Sequence, residues 1–267
     1  MTRIALFQMT AGIDPAQNAA AIVDAVRQAG GEGAEMLFTP EMSGLLDRDR
    51  KRAAAAIARE DEDRVLAAVR EEAAARGVWV ALGSLAVALD PAAEGAGAGA
   101  ISGAEAPRWA NRSYLVGPDG AIAARYDKIH MFDVDLASGE SWRESNAYRP
   151  GDRVVTATTP LGRLGLAVCY DLRFPALFDA LGRWCKGDDD LRWMVACRVL
   201  AGGGVGGRQQ AYFEGCVAVL RSLDVAAAAS DQRVLLITAS EDGHSLRVWD
   251  LRLARPLLYK LRGHGGP

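Results

Sequence analysis

The stretch Gly165-Leu-Ala-Val-Cys-Tyr-Asp-Leu-Arg-Phe-Pro175 places a cysteine between a predicted strand and a predicted helix. Its first residues form an apolar run that ends in the β-branched Val168, which is typical of a buried strand. Pro175 suits a first helical turn, and a helix is predicted over residues 176–181. A helix N-terminus facing Cys169 would favour its thiolate. These features fit a nucleophile and, equally, a buried structural cysteine.

Upstream of this stretch, strand and helix patterns alternate, which predicts a layered α/β fold. A helix is predicted over Pro15–Ala29, with Asp14 as its N-cap. Asp47–Arg76 is rich in Ala, Glu and Arg and predicts one broken helix or two. Apolar runs predict strands at Thr2–Met9, Ala34–Thr39, Val78–Val87, Asn111–Val116, Ala121–Tyr126, Val154–Thr158 and Arg163–Val168.

Other segments lack this alternation. Asp90–Pro107 is rich in Ala and Gly and predicts a surface insertion, and Lys128–Gly151 predicts a long polar loop. We divide the chain into a first domain at 1–182, a Gly-rich linker at 183–213 and a β-rich tail at 214–267. The strands predicted in the tail are Val217–Val225, Arg233–Thr238 and Ser245–Trp249.

Composition excludes several classes of protein. The chain has 267 residues, of which 50% are hydrophobic, and its net charge of −3 argues against binding nucleic acid. No apolar stretch has the length of a membrane span, and no secretory signal pattern begins the chain. The cysteines form no C-x-x-C pair, which argues against zinc and against a disulfide framework (Cys169, Cys185, Cys197, Cys216). A cytoplasmic protein is therefore expected.

Three residues with suitable chemistry follow predicted strands: Glu41, Lys128 and Cys169. In an open α/β sheet, functional sites gather at such ends. A carboxylate could take the thiol's proton, and an ammonium could stabilise the oxyanion that forms when the thiolate attacks a carbonyl or nitrile carbon. Other interpretations stay open: Glu41 as a helix cap and Lys128 as a solvated loop residue. We interpret His130 as a packing or hydrogen-bonding residue.

The sequence resembles the nitrilase superfamily, the carbon–nitrogen hydrolases, over residues 1 to about 182. Three segments carry the resemblance in order and spacing: Thr39-Pro-Glu-Met-Ser-Gly44, Arg125-Tyr-Asp-Lys-Ile-His-Met-Phe-Asp133 and Val168-Cys-Tyr-Asp-Leu-Arg-Phe-Pro175. Segments between them also agree, including Gly83-Ser-Leu-Ala86 and Asn111-Arg-Ser-Tyr-Leu-Val116. The amidase-like branch is the most similar one; its members hydrolyse deaminated glutathione and other ω-amides.

This resemblance implies an αββα sandwich that forms a homodimer and uses neither a metal ion nor an organic cofactor. It implies a catalytic triad of Glu41, Lys128 and Cys169, with Glu144 as a supporting glutamate. The implied reaction cleaves a small-molecule amide through a cysteine thioester and releases ammonia. A nitrile substrate remains an alternative.

The resemblance ends after the helix that follows Cys169, so the sandwich is expected to be incomplete. The tail resembles a single WD repeat in Leu235–Gly243, Leu246–Leu251 and Leu261–His264. One blade cannot close a propeller, so this pattern predicts a chimeric or truncated chain whose tail binds a protein partner. A chance β-rich tail is the alternative. The competing functional hypothesis is a catalytically inactive nitrilase-like protein with an interaction tail.

Overall fold

The computed structural model describes residues 3–89, 109–136, 139–160 and 162–184, with side chains to residue 181. Beyond them it describes the backbone of six strands between residues 191 and 250. The insertion predicted at Asp90–Pro107 lies outside the described residues, as do Cys185 and most of the predicted linker.

Four helices and fifteen strands are present in the described part of the chain. The helices are α1 (Pro15–Gly31), α2 (Arg50–Ala54), α3 (Arg64–Arg76) and α4 (Pro175–Trp184). The strands are β1 (Arg3–Gln8), β2 (Met36–Phe38), β3 (Trp79–Ala88), β4 (Trp109–Val116), β5 (Ile122–Asp127), β6 (Asp133–Asp135), β7 (Ser141–Arg143), β8 (Thr156–Thr159), β9 (Gly162–Val168), β10 (Leu191–Cys197), β11 (Leu200–Ala201), β12 (Ala211–Tyr212), β13 (Gly215–Val219), β14 (Val234–Thr238) and β15 (Ser245–Asp250).

Two sheets form the centre of the fold. The larger has the strand order β15-β1-β2-β3-β4-β5, with β1, β2 and β3 parallel and the remaining pairs antiparallel. The smaller has the order β10-β9-β8, in which β10 is parallel to β9. The long loop predicted at Lys128–Gly151 contains the hairpin of β6 and β7 and a short 3-10 turn.

The buried side chains arrange these elements in four layers. In β1, Ala5 and Phe7 pack with α1 and α3, whereas Ile4 and Leu6 face the second sheet. This alternation is the period-two pattern of a strand that is buried on both faces. In β9, Leu164, Leu166 and Val168 meet the first sheet, whereas Ala167 packs with Leu177 and Leu181 of α4. The predicted αββα sandwich is confirmed.

Local signals in the sequence explain the helix ends. Asp14 caps α1 as predicted, and its carboxylate accepts from the amide of Ala16 at 2.9 Å. Asp63 caps α3 in the same way, and α3 ends at Gly77, whose φ of 64° is a left-handed value that glycine adopts without strain. The single helical region predicted at Asp47–Arg76 forms the two helices α2 and α3, which was one of the two expectations.

Strands beyond residue 182 extend both central sheets. Leu191–Cys197 continues the second sheet beside β9, so a strand does follow the cysteine helix, where the sequence analysis found none. Ser245–Asp250 pairs antiparallel with β1 at the edge of the first sheet. β13 and β14 pair with each other. The domain limits at residues 182 and 213 remain a prediction.

Within the described ranges, none of the helices combines the length and the apolar composition that crossing a bilayer requires.

Candidate active site

Glu41 lies in a tight turn directly after β2. Thr39 begins this turn, and its hydroxyl accepts from the amide of Gly83 on the neighbouring β3 at 3.0 Å. A Cβ atom on Gly83 would lie 2.2 Å from the carbonyl oxygen of Pro40, so only glycine permits this approach. Met42 follows with a φ of 54°, which is uncommon for a residue with a side chain. The turn holds Glu41 in the interior, where it is 5% exposed.

Lys128 follows β5 and is 1% exposed. Its amide donates to the carbonyl of Asn111 on β4 at 2.9 Å, and its carbonyl accepts from the amide of Gly151 at 2.8 Å. A Cβ atom on Gly151 would lie 2.2 Å from the carbonyl oxygen of Asp127, so glycine is again required. The backbone on both sides of Lys128 is therefore fixed, and the side chain enters the interior.

Cys169 stands at the point where β9 becomes a 3-10 turn over Cys169–Arg173, which leads into α4 at Pro175. Its φ is 50°, so the nucleophile candidate has a left-handed backbone conformation. Such conformations in residues with side chains cost about 1–3 kcal/mol and persist where the surrounding structure imposes them. The predicted strand, cysteine and helix are all present in this order.

Lys128 connects two carboxylates. Its Nζ lies 3.3 Å from Oε1 of Glu41 and 2.7 Å from Oε2 of Glu144. Glu144 begins the 3-10 turn in the loop after β7, and its Oε2 also accepts from the amide of Phe132 at 2.7 Å. The attraction between the ammonium and the two carboxylates offsets part of the cost of burying these charges. The four residues predicted from sequence thus meet at one place.

Asn111 is a fifth member of this cluster that the sequence analysis did not identify. Its Nδ2 donates to Oε1 of Glu41 at 2.8 Å and to Oε1 of Glu144 at 3.2 Å. It is 2% exposed and occupies β4, opposite the turn of Glu41. The sequence did contain a signal for Asn111, because a polar amide side chain stands at a position of the predicted strand that faces the interior. Asn111 and Lys128 together hold the two carboxylates side by side.

The buried surroundings of Cys169 raise the pKa of its thiol. Burial raises the pKa of Cys169, and the nearby charge of Glu41 raises it further, whereas Lys128 lowers it in part. A hydrogen bond with Glu41 acts in the same direction as that carboxylate's charge. Burial lowers the pKa of Lys128, but the charges of Glu41 and Glu144 more than compensate and raise it. These directions favour a charged ammonium on Lys128 and a neutral thiol on Cys169 in the resting cluster.

This finding corrects one expectation. The sequence suggested that the helix after Cys169 would favour the thiolate. In the structure, Cys169 is the first residue of the 3-10 turn and α4 begins only at Pro175, and burial together with the charge of Glu41 raises the pKa of the thiol. His130, interpreted as a packing or hydrogen-bonding residue, has that environment: its ring stacks on Phe174 with the centroids 3.7 Å apart and contacts Asp171.

Comparison with known families identifies the chain. The family model described as carbon-nitrogen hydrolase matches residues 3–183. The chain belongs to the carbon–nitrogen hydrolase family. That match contains Glu41, Asn111, Lys128, Glu144 and Cys169. The resemblance of the tail to a WD repeat finds no support in these comparisons.

Curated relatives of this carbon–nitrogen hydrolase include amidases. The deaminated glutathione amidase of Yersinia enterocolitica is 36% identical over 179 residues, which cover 67% of this chain and 57% of that protein. The human omega-amidase is 42% identical over 79 residues, which cover 30% of this chain and 29% of that protein. The matched part thus spans less than two thirds of the length of either relative.

Solved structures share the fold over nearly the whole chain. A variant of the amidase from Nesterenkonia sp. AN1 superposes with a TM-score of 0.65, covering 96% of this chain and 97% of that one at 22% identity. The NitFhit protein of C. elegans has a TM-score of 0.64, covering 94% of this chain and 61% of that one at 24% identity. At such identities the likeness concerns the fold alone.

Proposed function

We propose that this protein is an amidase that hydrolyses a small amide through a thioester on Cys169. The observation that carries the proposal is the convergence of a buried base, ammonium and thiol. Glu41 and Lys128 are nine-tenths or more buried, are joined at 3.3 Å, and both act electrostatically on Cys169. A cluster of this composition supplies a general base, an oxyanion partner and a nucleophile for acyl transfer.

In the first half of the proposed reaction, Glu41 takes the proton of the Cys169 thiol as the sulfur attacks the amide carbon. Transferring the proton within the cluster leaves its total charge unchanged, so no unpaired charge is created before attack. The carbonyl oxygen becomes an oxyanion, and Lys128 stabilises it. When the carbon–nitrogen bond breaks, the proton on Glu41 passes to the leaving nitrogen, which departs as ammonia and leaves an acyl thioester.

In the second half, Glu41 takes a proton from a water molecule that attacks the thioester carbon. Lys128 again stabilises the oxyanion, and collapse of the intermediate breaks the carbon–sulfur bond. The proton returns from Glu41 to the sulfur, so the products are a carboxylic acid and the starting enzyme. Glu144 takes no proton in this scheme; its two contacts with Nζ hold the ammonium beside the base.

Replacement of Cys169 tests the proposal. We expect Cys169→Ala to abolish ammonia release from monoamides of short dicarboxylic acids, because no other group in the described cluster can form the thioester. Loss of a nucleophile in such units costs on the order of 10⁶-fold in turnover. Cys169→Ser keeps the shape of the side chain and should also fall to background, because a hydroxyl is a weaker nucleophile. Equal turnover by wild type and Cys169→Ala would contradict the proposal and favour the catalytically inactive alternative.

The substrate class is part of the proposal. The relatives named deaminated glutathione amidase and omega-amidase support an ω-amide in preference to a nitrile. Homodimer formation and a cytoplasmic location, both expected from the sequence analysis, likewise remain proposals.

We further propose that the region after residue 182 completes the hydrolase fold. The pairing of β10 with β9 and of β15 with β1 supports this role. Deletion of residues 183–267 would expose two sheet edges and is expected to cause aggregation, measured by light scattering. A deletion variant that stays monodisperse and in which iodoacetamide still alkylates Cys169 at the wild-type rate would instead support the division into a first domain, a linker and an appended tail that binds a partner.

A further inference from the structure

Asp171 is a buried carboxylate that the proposed reaction does not use. Its side chain is 0% exposed and lies two residues beyond Cys169 in the 3-10 turn. Four donors surround it. Its Oδ2 accepts from the Tyr126 hydroxyl at 2.7 Å and from the Val168 amide at 2.9 Å. Its Oδ1 contacts Nδ1 of His130 at 2.7 Å and accepts from the amide of His130 at 3.0 Å.

These donors hold two segments next to the reacting groups, the end of β9 with the turn that follows it and the loop after β5, whereas Tyr126 lies within β5 itself. Val168 is the residue directly before the nucleophile, and its amide is held by Oδ2. His130 lies two residues after Lys128, and both its amide and its ring are held by Oδ1. One carboxylate therefore connects the turn that carries the thiol to the loop that carries the ammonium. Neither connection passes through the reacting groups themselves.

The surrounding groups fix this carboxylate from the remaining directions. The ring of His130 stacks on Phe174 with an interplanar angle of 10°, which aligns its Nδ1 with Asp171. Burial raises the pKa of Tyr126, and the charge of Asp171 raises it further, so the hydroxyl stays a donor. Because a carboxylate only accepts, the Nδ1 atom of His130 must carry a proton in this contact.

An amide could not replace this carboxylate. Each oxygen accepts one backbone N–H group, from His130 on Oδ1 and from Val168 on Oδ2. A backbone N–H group cannot accept a hydrogen bond. An asparagine would direct its NH₂ group at one of these two amides whichever way it were turned. One loop would then lose its attachment and retain a buried, unsatisfied donor.

We propose that Asp171 is a positioning residue that sets the placement of the Cys169 thiol relative to Lys128 and Glu41 by attaching both loops to one carboxylate. The proposal rests on the proposed function in that Cys169 is taken as the nucleophile. Displacing a reacting group by about 1 Å can reduce turnover on the order of 100-fold. The expected consequence is a loss of turnover with little change in KM, because Asp171 is fully buried and its hydrogen bonds go to Tyr126, His130 and Val168.

The test is the pH dependence of iodoacetamide labelling at Cys169 in the full-length protein, read by peptide mass beside ammonia release. Burial and Glu41 raise the pKa of this thiol in wild type, so its labelling midpoint lies above the ordinary value of about 8.5. In Asp171→Asn, the displaced thiol should be more exposed to water and farther from the carboxylate of Glu41, so both causes that raise its pKa become weaker. We expect the midpoint to fall by about one pH unit or more towards the ordinary value, and turnover to fall on the order of 100-fold.

A matched control is Glu72→Gln in α3. Glu72 is also buried and accepts from two arginines, Arg27 and Arg76, but contacts no residue of the cluster. The Glu72→Gln variant should have a lower melting temperature, and the pH midpoint of Cys169 labelling should stay at the wild-type value. If Asp171→Asn likewise lowers only the melting temperature, Asp171 is a structural residue and the proposal is wrong.

A milder variant decides the question if Asp171→Asn does not fold. Tyr126→Phe removes the hydroxyl that fixes Oδ2, the same oxygen that holds the amide of Val168, so the attachment beside Cys169 is loosened and the midpoint should fall in the same direction by a smaller amount. An unchanged midpoint in folded Tyr126→Phe would then overturn the proposal. A wild type that releases no ammonia, together with a shifted midpoint in the variants, would refute the amidase function and leave the positioning role intact.

Discussion

The two faces of β4 carry ionic clusters of different kinds. Asn111 points to the second sheet and joins Lys128, Glu41 and Glu144. Its neighbour Arg112 belongs to the other face, where a second cluster contains Glu60, Asp127, Arg125 and Tyr114. Arg112 makes a two-point contact with Asp127 at 2.6 and 2.9 Å and reaches Glu60 at 3.2 Å.

Charge balance distinguishes the clusters. Around Glu60, two arginines meet two carboxylates, and the hydroxyl of Tyr114 donates to the same Glu60 oxygen as Arg112. Around Lys128, one ammonium serves two carboxylates and a thiol, and two nearby residues have left-handed backbone conformations. The first arrangement neutralises its charges and holds the loop of Glu60 to β4 and β5. The second has one more carboxylate than ammonium groups, so Glu41 can accept the proton of the Cys169 thiol.

The largest expected difference comes from removing the cation on each side. We expect Lys128→Met to reduce turnover about 10²–10³-fold, because the oxyanion loses its partner and two carboxylates lose their counter-ion. The matched variant Arg112→Met should reduce the free energy of unfolding, measured in urea, while changing turnover less than about tenfold. Similar losses of turnover in both variants would contradict the assignment of catalysis to the Lys128 cluster and of stability to the Arg112 cluster.

A second expected difference concerns the thiol. Glu41→Gln removes the charge that, after burial, raises the pKa of Cys169 most. The pKa should therefore fall, and the labelling midpoint for Cys169 should move to lower pH while ammonia release is lost. Glu60→Gln, on the other face, serves as the control. A midpoint that rises or stays fixed in Glu41→Gln would mean that this carboxylate does not contact the thiol in solution.

The smallest expected effect is on acid stability. The pKa of Glu60 is lowered: burial alone would raise it, but the hydrogen bond and charge of Arg125 outweigh burial. A lowered pKa in the folded state gives stability that is present above the unfolded pKa and is lost as the pH falls through the folded value. Glu60→Gln should therefore cost roughly 1 kcal/mol at neutral pH and less near pH 3, with turnover unchanged within about twofold. Equal losses at both pH values would contradict this assignment.

Residues at strand ends were predictable from the sequence, whereas their partners inside strands and turns were not. Glu41 and Lys128 follow strands of the first sheet and Cys169 follows β9 of the second, and the packing of the two sheets brings these three strand ends together. Asn111 contacts carboxylates that lie 70 and 33 positions away, and local pattern carries no information about such partners. Burial is the main cause that raises the pKa of Cys169, and burial depends on how the two sheets pack together, which the local sequence around the cysteine does not show.

The strands after residue 182 were the hardest to predict. Leu191–Cys197 is an apolar run, but it follows the charged segment at 188–190 and was assigned to a linker. A parallel strand is recognised by its crossover helix, and α4 supplies that helix between β9 and β10. For β15, pairing with a strand more than 230 residues away cannot be detected from local sequence.

That pairing has a consequence for the order in which the chain can fold. β1 is synthesised before the other described strands, yet one of its two neighbours, β15, follows it by about 240 residues. At a synthesis rate of 5–20 residues per second, β1 would wait more than ten seconds for that partner. During this interval its apolar edge is open to other strands. Production of the protein should therefore depend on chaperones and on a slow, late step that closes the first sheet.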